Sequence, residues 1–404
     1  MPVRLAVVVS HPVQYFSPWF QHLAAQPDLQ LRVFYLWDFG VTGQQDREFG
    51  VQVQWDIPLL DGYDHEFVEN ASRDPGTHHF LGLDNPALVP RVAAWAPRAI
   101  LVFGYAYLSH VRLLRSRALR NVPILFRGDS HNLCRPGGVR PWLARQLRRR
   151  LLARADAFLA VGTANEAYCR EVARDPQRVF RAPHFVDNRR FRAAEATAQA
   201  SSAAWRNQHG IGAGSFVIGF VGKLDAKKRP LDLLRAFASL PPGARARDGR
   251  DAALLFVGDG QLRSRLEQEA LRLGLSDVHF APFHNQSAMP QVYAALDVLV
   301  LPSGSETWGL CVNEAMNLGV PAVVSDCVGC GPDLVVEGTT GWVFRHGDTA
   351  DLQRVLALAL DRSPVQREAM AEAARRHVAD YSIDAATEGL RRAVRSVVGP
   401  EGRR

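Results

Sequence analysis

The sequence predicts an α/β protein built from two doubly wound domains, and three observations support this. Apolar runs of strand length alternate with segments of helical period along the 404-residue chain. Each apolar run is continuous rather than alternating, as in parallel strands that helices cover on both faces. The length also suits two domains, since one domain takes roughly 100–200 residues. We therefore expect two Rossmann-like domains that face each other across a cleft.

The elements follow from runs rich in Val, Ile, Leu and Phe and from apolar residues at helical spacing. The predicted strands are 5–9, 31–35, 100–103, 124–126, 157–161, 216–221, 254–257, 298–301 and 322–324. The predicted helices are 18–25, 231–240, 262–273, 289–296 and 309–318. Because the pattern restarts near residue 215, the expected domains are 1–187 and 210–384. A polar linker at 188–209 joins them, and a helix at 385–398 packs back on the first domain.

The composition excludes several classes of protein. The chain is 47% hydrophobic and 22% charged, which is typical of a globular protein rather than a disordered or collagenous one. Its apolar runs are far shorter than the roughly 20 residues of a membrane-spanning helix, and no secretory leader is recognised. Five cysteines are too few for a disulfide framework, which favours a reducing, cytoplasmic compartment.

The lysines are confined to one loop. The chain has 48 basic residues, of which only Lys223, Lys227 and Lys228 are lysines. They follow the predicted strand 216–221, and Pro230 then opens a helix, as proline commonly does. Ligands of open α/β sheets bind at the carboxyl ends of strands, and helix N-termini attract anions. The loop therefore indicates a diphosphate site; the alternative is a solvated basic turn.

Two glutamates follow the predicted strand 298–301. Glu306 lies in the loop after the strand and Glu314 in the next helix, eight positions later. We expect both to point toward the same cleft mouth, with Glu314 partly buried among small and apolar residues. Buried carboxylates need hydrogen-bond donors, and sugar hydroxyls are suitable ones. The alternative is a helix-capping Glu306 and a surface Glu314.

The C-terminal half resembles family 4 of the glycosyltransferases, which have the two-domain GT-B architecture. The resemblance covers about residues 188–385 and rests on several spaced motifs in the family's order. These motifs are Gly222-Lys223-Leu224 with Lys228, Phe256-Val257-Gly258-Asp259-Gly260, Leu296-Asp297-Val298 before Pro302-Ser303, Glu306-x7-Glu314, Gly319-Val320-Pro321-Ala322-Val323 and Gly338-Thr339-Thr340-Gly341-Trp342-Val343. The N-terminal half resembles the family more weakly.

The resemblance implies roles for the charged residues. Lys223 and Lys228 would hold the donor diphosphate and stabilise the charge that develops as it departs. Glu306 would bind the donor sugar, and Glu314 the ribose hydroxyls. The family usually has arginine where this chain has Lys223, so the bidentate contact of a guanidinium is lost there.

The resemblance also implies a set of backbone contacts with the donor. Gly222 belongs to the phosphate loop, and the amides of Gly309 and Leu310 would meet the phosphates at a helix N-terminus. Phe283 and His284 would border the base.

The function that follows is a retaining transfer of a sugar from a nucleotide diphosphate-sugar to a cell-envelope glycan or lipid-linked acceptor. No cofactor or metal is expected, because the sequence has no Asp-x-Asp and the lysines would replace the ion. It has no Gly-x-Gly-x-x-Gly either, which counts against a nicotinamide dehydrogenase. The alternatives are a GT-B epimerase or phosphorylase, or a non-catalytic nucleotide-sugar-binding protein.

The acceptor side is expected in the N-terminal half. Asp129 and His131 follow the strand 124–126, and either could be the catalytic group that faces the cleft. His11 follows the first strand, and a structural role and a role in the cleft are equally expected for it. The pair His78-His79 has no third metal ligand nearby in the sequence, which favours a surface location.

A basic segment lies in the same half. Residues 140–154 contain six arginines and no acid, with Trp142, Leu143, Leu147 and Leu151 at helical spacing. Such a helix could rest on anionic lipid at the inner face of the cytoplasmic membrane. The alternative is an ordinary domain helix with a solvated arginine face. Nucleic-acid binding is not expected, because no aromatic-interleaved basic motif accompanies the charge.

Overall fold

The computed structural model describes residues 2–42, 54–134, 139–241 and 243–399. They form two compact units. One comprises the described residues up to His184 together with those from Ile383 onward, and the other contains Phe185–Ser382. Each unit is built on one parallel β-sheet.

The first unit contains a seven-stranded sheet. Its strands are β1 (Val3–Val9), β2 (Leu29–Tyr35), β3 (His65–Phe67), β4 (Ala99–Phe103), β5 (Ile124–Arg127), β6 (Ala157–Ala160) and β7 (Val179–Arg181). The helices between them are α1 (Ser17–Ala24), α2 (Leu88–Trp95), α3 (Leu108–Leu114), α4 (Val139–Leu152) and α5 (Thr163–Val172). The strand order is β3-β2-β1-β4-β5-β6-β7, so the direction of winding reverses between β1 and β4.

The second unit contains a six-stranded sheet. Its strands are β8 (Phe216–Val221), β9 (Ala252–Val257), β10 (Val278–Ala281), β11 (Val298–Leu301), β12 (Ala322–Ser325) and β13 (Gly341–Phe344). The helices are α6 (Asn188–Gln208), α7 (Pro230–Ala238), α8 (Arg263–Arg272), α9 (Met289–Ala294), α10 (Leu310–Asn317), α11 (Gly331–Leu334), α12 (Thr349–Leu360) and α13 (Pro364–Val378). The order β10-β9-β8-β11-β12-β13 reverses between β8 and β11.

The central strands confirm the prediction of parallel sheets. Every residue of β4, β8, β9 and β11 is buried, which requires cover on both faces. All nine predicted strands are present to within two residues at each end, as are the five predicted helices. Two Rossmann-like α/β units therefore form the fold.

The predicted linker at 188–209 is folded almost entirely as the 21-residue helix α6. The Asp187 carboxylate caps it by accepting a hydrogen bond from the amide of Arg190. Phe191, Ala198 and Trp205 are buried at seven-residue spacing, so one stripe of an otherwise polar helix packs against α9. The helix is part of the second unit.

The C-terminal helix α14 (Ile383–Val398) belongs to the first unit, where it contacts α1, β6 and β7. The Trp19 indole donates a buried hydrogen bond of 3.0 Å to the Thr387 hydroxyl, which ties α14 to α1. Among the described residues, no helix combines the length and the apolarity needed to cross a bilayer.

Candidate active site

The reversal of strand order between β8 and β11 positions the candidate site. The loop after β8 begins at Gly222 and ends where Pro230 opens α7, and the loop after β11 leads from Pro302 to α10. Because β8 and β11 are neighbours, their carboxyl ends place the two loops side by side. Ligands of open α/β sheets bind at such a switch point.

The two loops are joined by an ion pair between the Lys228 ammonium and the Glu306 carboxylate. The Ser303 hydroxyl donates to the same carboxylate oxygen at 3.4 Å. The Lys228 side chain is 21% exposed and that of Glu306 12%, so both have limited access to water. The Lys228 amide also donates to the Asp225 carboxylate at 2.9 Å, which holds the turn before α7. A cation and an anion are thus held together at the switch point.

The pKa of Lys228 reflects two opposing effects. Burial lowers the pKa of the ammonium, and the Glu306 carboxylate raises it. The balance leaves the pKa above its ordinary value. Lys228 therefore remains a cation throughout the neutral range.

The second glutamate is buried rather than on the surface. Glu314 is 2% exposed on α10, and the Tyr293 hydroxyl of α9 donates a 2.6 Å hydrogen bond to its carboxylate. Tyr293 was not predicted as a site residue, since nothing in a lone tyrosine indicates that α9 packs beside α10. Its hydroxyl helps to compensate the cost of burying the Glu314 charge.

Cys311 lies among the charged residues of the site. Burial raises the pKa of its thiol to about 12, and the charges of Lys228, Glu306 and Glu314 also act on it. The structure therefore brings three predicted site residues together around a protonated thiol. Cys311 was not predicted as a site residue.

Gly309 is required at the start of α10. Its φ is +105°, and a Cβ there would lie 2.9 Å from a methyl group of Leu301. A side chain would be strained and would collide with β11. The predicted phosphate contacts, Gly309 and Leu310, therefore occupy the N-cap and first position of α10, beside the loop that carries Glu306.

The loops after β9 and β10 lie against the loop after β8. A Cβ on Gly258 would lie 2.2 Å from the Gly222 carbonyl oxygen, so only glycine permits this approach. The Asp259 carboxylate accepts a 2.8 Å hydrogen bond from the Phe283 amide. The His284 ring packs 5.7 Å from that of Trp205 on α6. The predicted base-bordering residues thus follow a strand two places from β8.

Lys223 and Lys227 occupy the same turn as Lys228. Lys223 is half-buried, directly after Gly222, and its carbonyl accepts a hydrogen bond from the Asp225 amide at 3.0 Å. Lys227 is exposed. The three lysines therefore differ in access to solvent, although they are close in sequence.

In the first unit, Asp129 and His131 follow β5 as predicted. His131 is 7% exposed, and its Nδ1 accepts a 3.1 Å hydrogen bond from the Leu133 amide, so the neutral ring carries its proton on Nε2. Burial lowers the pKa of the nearby Arg127 guanidinium to about 9, and the Asp129 carboxylate opposes that shift. The Arg127 guanidinium donates to the Ala182 carbonyl at 2.7 Å.

Three further histidines of the first unit were singled out from the sequence. The His11 ring packs edge-on against Phe39 at 5.5 Å. The expectation that His78 and His79 lack a third group is wrong: the Asp74 carboxylate lies 3.1 Å from His78 Nε2 and 3.4 Å from His79 Nε2. A local turn, not sequence adjacency, brings Asp74 to them.

The basic segment 140–154 forms most of α4. Trp142 and Leu143 are each 50% exposed and Leu147 is 67% exposed, whereas Leu152 is fully buried in the core of the first unit. The side chains of 139–141 lie outside the described residues. Within the described part of α4, apolar residues at its start therefore face solvent and its end is anchored.

Comparison with known proteins agrees with this fold. Residues 201–377 match the family described as glycosyl transferases group 1. A D-inositol 3-phosphate glycosyltransferase of Nocardia farcinica is 33% identical over 253 residues, which are 60% of this chain and 53% of that protein. The sulfoquinovosyl transferase SQD2 of Arabidopsis thaliana is 35% identical over 42% of this chain and 31% of its own length. The chain spans about half the length, or less, of these curated relatives.

The solved structures extend the likeness to nearly the whole chain. HepE of Anabaena, crystallised with UDP and glucose, superposes with a TM-score of 0.72 at 19% identity, over 98% of this chain and all of that one. WaaG, a glycosyltransferase of lipopolysaccharide biosynthesis, superposes with a TM-score of 0.67 at 18% identity, over 98% of this chain and all of that one. The fold is the GT-B fold of glycosyltransferases. Within it, residues 201–377 are the part that matches the glycosyl transferases of group 1.

Proposed function

We propose that this protein is a glycosyltransferase that moves a sugar from a nucleoside diphosphate-sugar, with UDP as the expected nucleotide, to an acceptor hydroxyl. The observation that carries this proposal is the Lys228–Glu306 ion pair at the switch point of the second sheet. A cation there suits the diphosphate, and an adjacent carboxylate suits the sugar hydroxyls. The UDP complex of the structural neighbour HepE supports the choice of nucleotide.

The donor would exchange one partner of this ion pair for another. The Lys228 ammonium would turn part of its contact from Glu306 to the diphosphate oxygens, and the freed carboxylate oxygen would accept hydrogen bonds from the sugar. As the glycosidic bond breaks, negative charge grows on the diphosphate, and a cation held ready stabilises it. Glu314, held by Tyr293, would bind the ribose hydroxyls.

We further propose that the transfer retains the anomeric configuration and needs no metal ion. Retention rests on the resemblance to family 4. Independence from metal rests on the lysines of the loop after β8, which supply the positive charge that a divalent ion would otherwise bring to the diphosphate. In the first unit, His131 or Asp129 would serve the acceptor.

The acceptor proposed is a cell-envelope glycan or a lipid-linked saccharide, met at the inner face of the cytoplasmic membrane. The exposed Trp142, Leu143 and Leu147 of α4 support membrane contact, because apolar side chains among arginines suit an anionic lipid surface.

Binding and turnover test the proposal in sequence. A thermal-shift panel of UDP, GDP, ADP and CMP is expected to raise the melting temperature most with UDP, since a ligand of the native state stabilises it. UDP-sugars and candidate acceptors then give turnover, and proton NMR of the early product reports the anomer. Failure of all four nucleotides to shift the melting temperature would overturn the proposal. An inverted product would overturn only the retaining mechanism.

A further inference from the structure

The second unit has a cavity of about 400 Å³ that takes no part in the candidate active site. Its walls include the start of β8 at Phe216, the start of β11 at Val298, and Pro321 just before β12. These are amino ends of strands, whereas Lys228 and Glu306 follow carboxyl ends. The cavity therefore lies at the opposite edge of the sheet, and its volume is ordinary for a small-molecule site.

The cavity combines an apolar floor with a basic rim. The buried side chains of Phe216, Trp342 and Met370 line it. Four arginines also line it, namely Arg206, Arg250, Arg362 and Arg367. Such a surface suits a ligand that is uncharged at one end and anionic at the other.

Three of the four arginines are paired. Asp297 accepts from Arg206 at 3.1 Å and from Arg250 at 2.7 Å. Asp248 pairs with Arg250 and with Arg367. Three cations thus share two carboxylates, which leaves this network with one positive charge in excess.

The fourth arginine, Arg362, has no such partner among the residues that the structure describes. In the described ranges, no carboxylate pairs with it, and its Nε is buried without a hydrogen-bond acceptor. Its guanidinium lies 5.5 Å from the centre of the Trp342 ring. Buried N–H groups in proteins nearly always have an acceptor, so an anionic ligand would suit this N–H.

We propose that this cavity binds a small organic anion, whose phosphate or carboxylate group meets Arg362 and the adjacent Arg367 and whose uncharged body meets the apolar part of the cavity lining. Arg367 is adjacent because its guanidinium donates to the Arg362 carbonyl at 2.9 Å. Planar guanidinium groups match both kinds of anion, and the apolar floor excludes a bare inorganic ion as the preferred ligand. The site does not depend on the proposed transferase activity.

Isothermal titration calorimetry with phenyl phosphate, benzoate and inorganic phosphate tests the proposal. Phenyl phosphate or benzoate is expected to bind more tightly than inorganic phosphate, and the tighter of the two identifies the anionic group. The titrations are repeated with Lys228→Ala, which disables the proposed donor site and is expected to leave this binding unchanged. Loss of binding in Lys228→Ala would place the probe in the donor site and overturn the proposal.

Arg362→Met separates a binding role from a structural one. The methionine keeps apolar cover over Trp342, so the melting temperature without ligand is expected to stay near that of the wild type. Affinity for the organic probe is expected to fall at least about tenfold. The matched control is Arg354→Met, which removes an exposed arginine of α12 that pairs with Asp351. Equal affinity in both variants, or no binding of any probe at about 10 mM, would overturn the proposal.

Discussion

The Lys228 ammonium pairs with the Glu306 carboxylate although 78 residues of sequence separate them. The pairing follows from the neighbouring positions of β8 and β11, which are not consecutive strands. If this pair grips the donor, Lys228→Ala is expected to lower kcat by about 10²-fold or more, the scale of losing one preorganised charge stabiliser.

The control for Lys228→Ala is Lys227→Ala, which removes the same charge from the adjacent, exposed position. Steady-state rates with a UDP-sugar compare the two variants. Similar kcat values for both would show that the loop contributes only general positive charge.

Chelation tests the proposed independence from metal. Initial rates in excess EDTA are expected to equal those without it, because the loop lysines carry the charge that a divalent ion would supply. The same rates are measured with added Mg²⁺. A full loss of activity in EDTA that Mg²⁺ restores would contradict the prediction.

Tyr293→Phe tests how Glu314 is held. Removing the hydroxyl takes a hydrogen bond from a buried carboxylate, which costs roughly 1–3 kcal/mol of stability. We expect a lower melting temperature and a higher KM for the donor, with a smaller effect on kcat. Tyr107→Phe is the control, since its hydroxyl donates to the Thr77 carbonyl in the first unit. If the KM for the donor is unchanged in Tyr293→Phe, Glu314 is not part of the donor site.

Because apolar residues at the start of α4 are exposed, we expect their substitution to weaken binding to lipid vesicles. The double variant Trp142→Ser, Leu147→Ser is expected to reduce co-sedimentation with phosphatidylglycerol vesicles several-fold, because two exposed apolar contacts are lost. Leu271→Ser, on α8 of the second unit, replaces an even more exposed leucine, at 81%. If both proteins sediment as the wild type does, α4 is not the contact surface.

Acid is expected to destabilise the first unit through buried histidines. Burial lowers the pKa of His110 to about 4 from an ordinary 6.5. Between these values the unfolded chain binds the proton and the folded chain does not, so stability falls as pH drops through that window. At about pH 5.5 the His110 contribution is roughly 1.4 kcal/mol. Burial also lowers the pKa of His184, which acts in the same direction.

His110→Leu is therefore expected to lose less stability than the wild type between about pH 7.5 and pH 5.5. Urea unfolding at the two pH values measures the difference. His78→Gln, at an exposed position, is the control and is expected to follow the wild type. A wild-type pH dependence in His110→Leu would show that other groups account for the acid sensitivity.

Strands with long buried runs could be predicted from the sequence, whereas several short strands and one mostly polar helix could not. The central strands were found because a buried parallel strand is a continuous apolar run. The strands β3, β7, β10 and β13 were missed, since each has only three or four residues and is defined by its neighbour rather than by its own pattern. The helix α6 was taken for a linker because its buried stripe consists of only a few residues in a polar segment.

By itself, the sequence determined the parallel α/β core and the loops that carry the lysines and Glu306, because local patterns of apolarity, charge and glycine indicate both. Only the tertiary structure decided that β8 lies beside β11, that Tyr293 holds Glu314, and that Arg362 lines a cavity and pairs with no carboxylate of the described residues. Those relationships depend on which strands and helices pack together over long separations in the chain. Local periodicity carries no information about such packing.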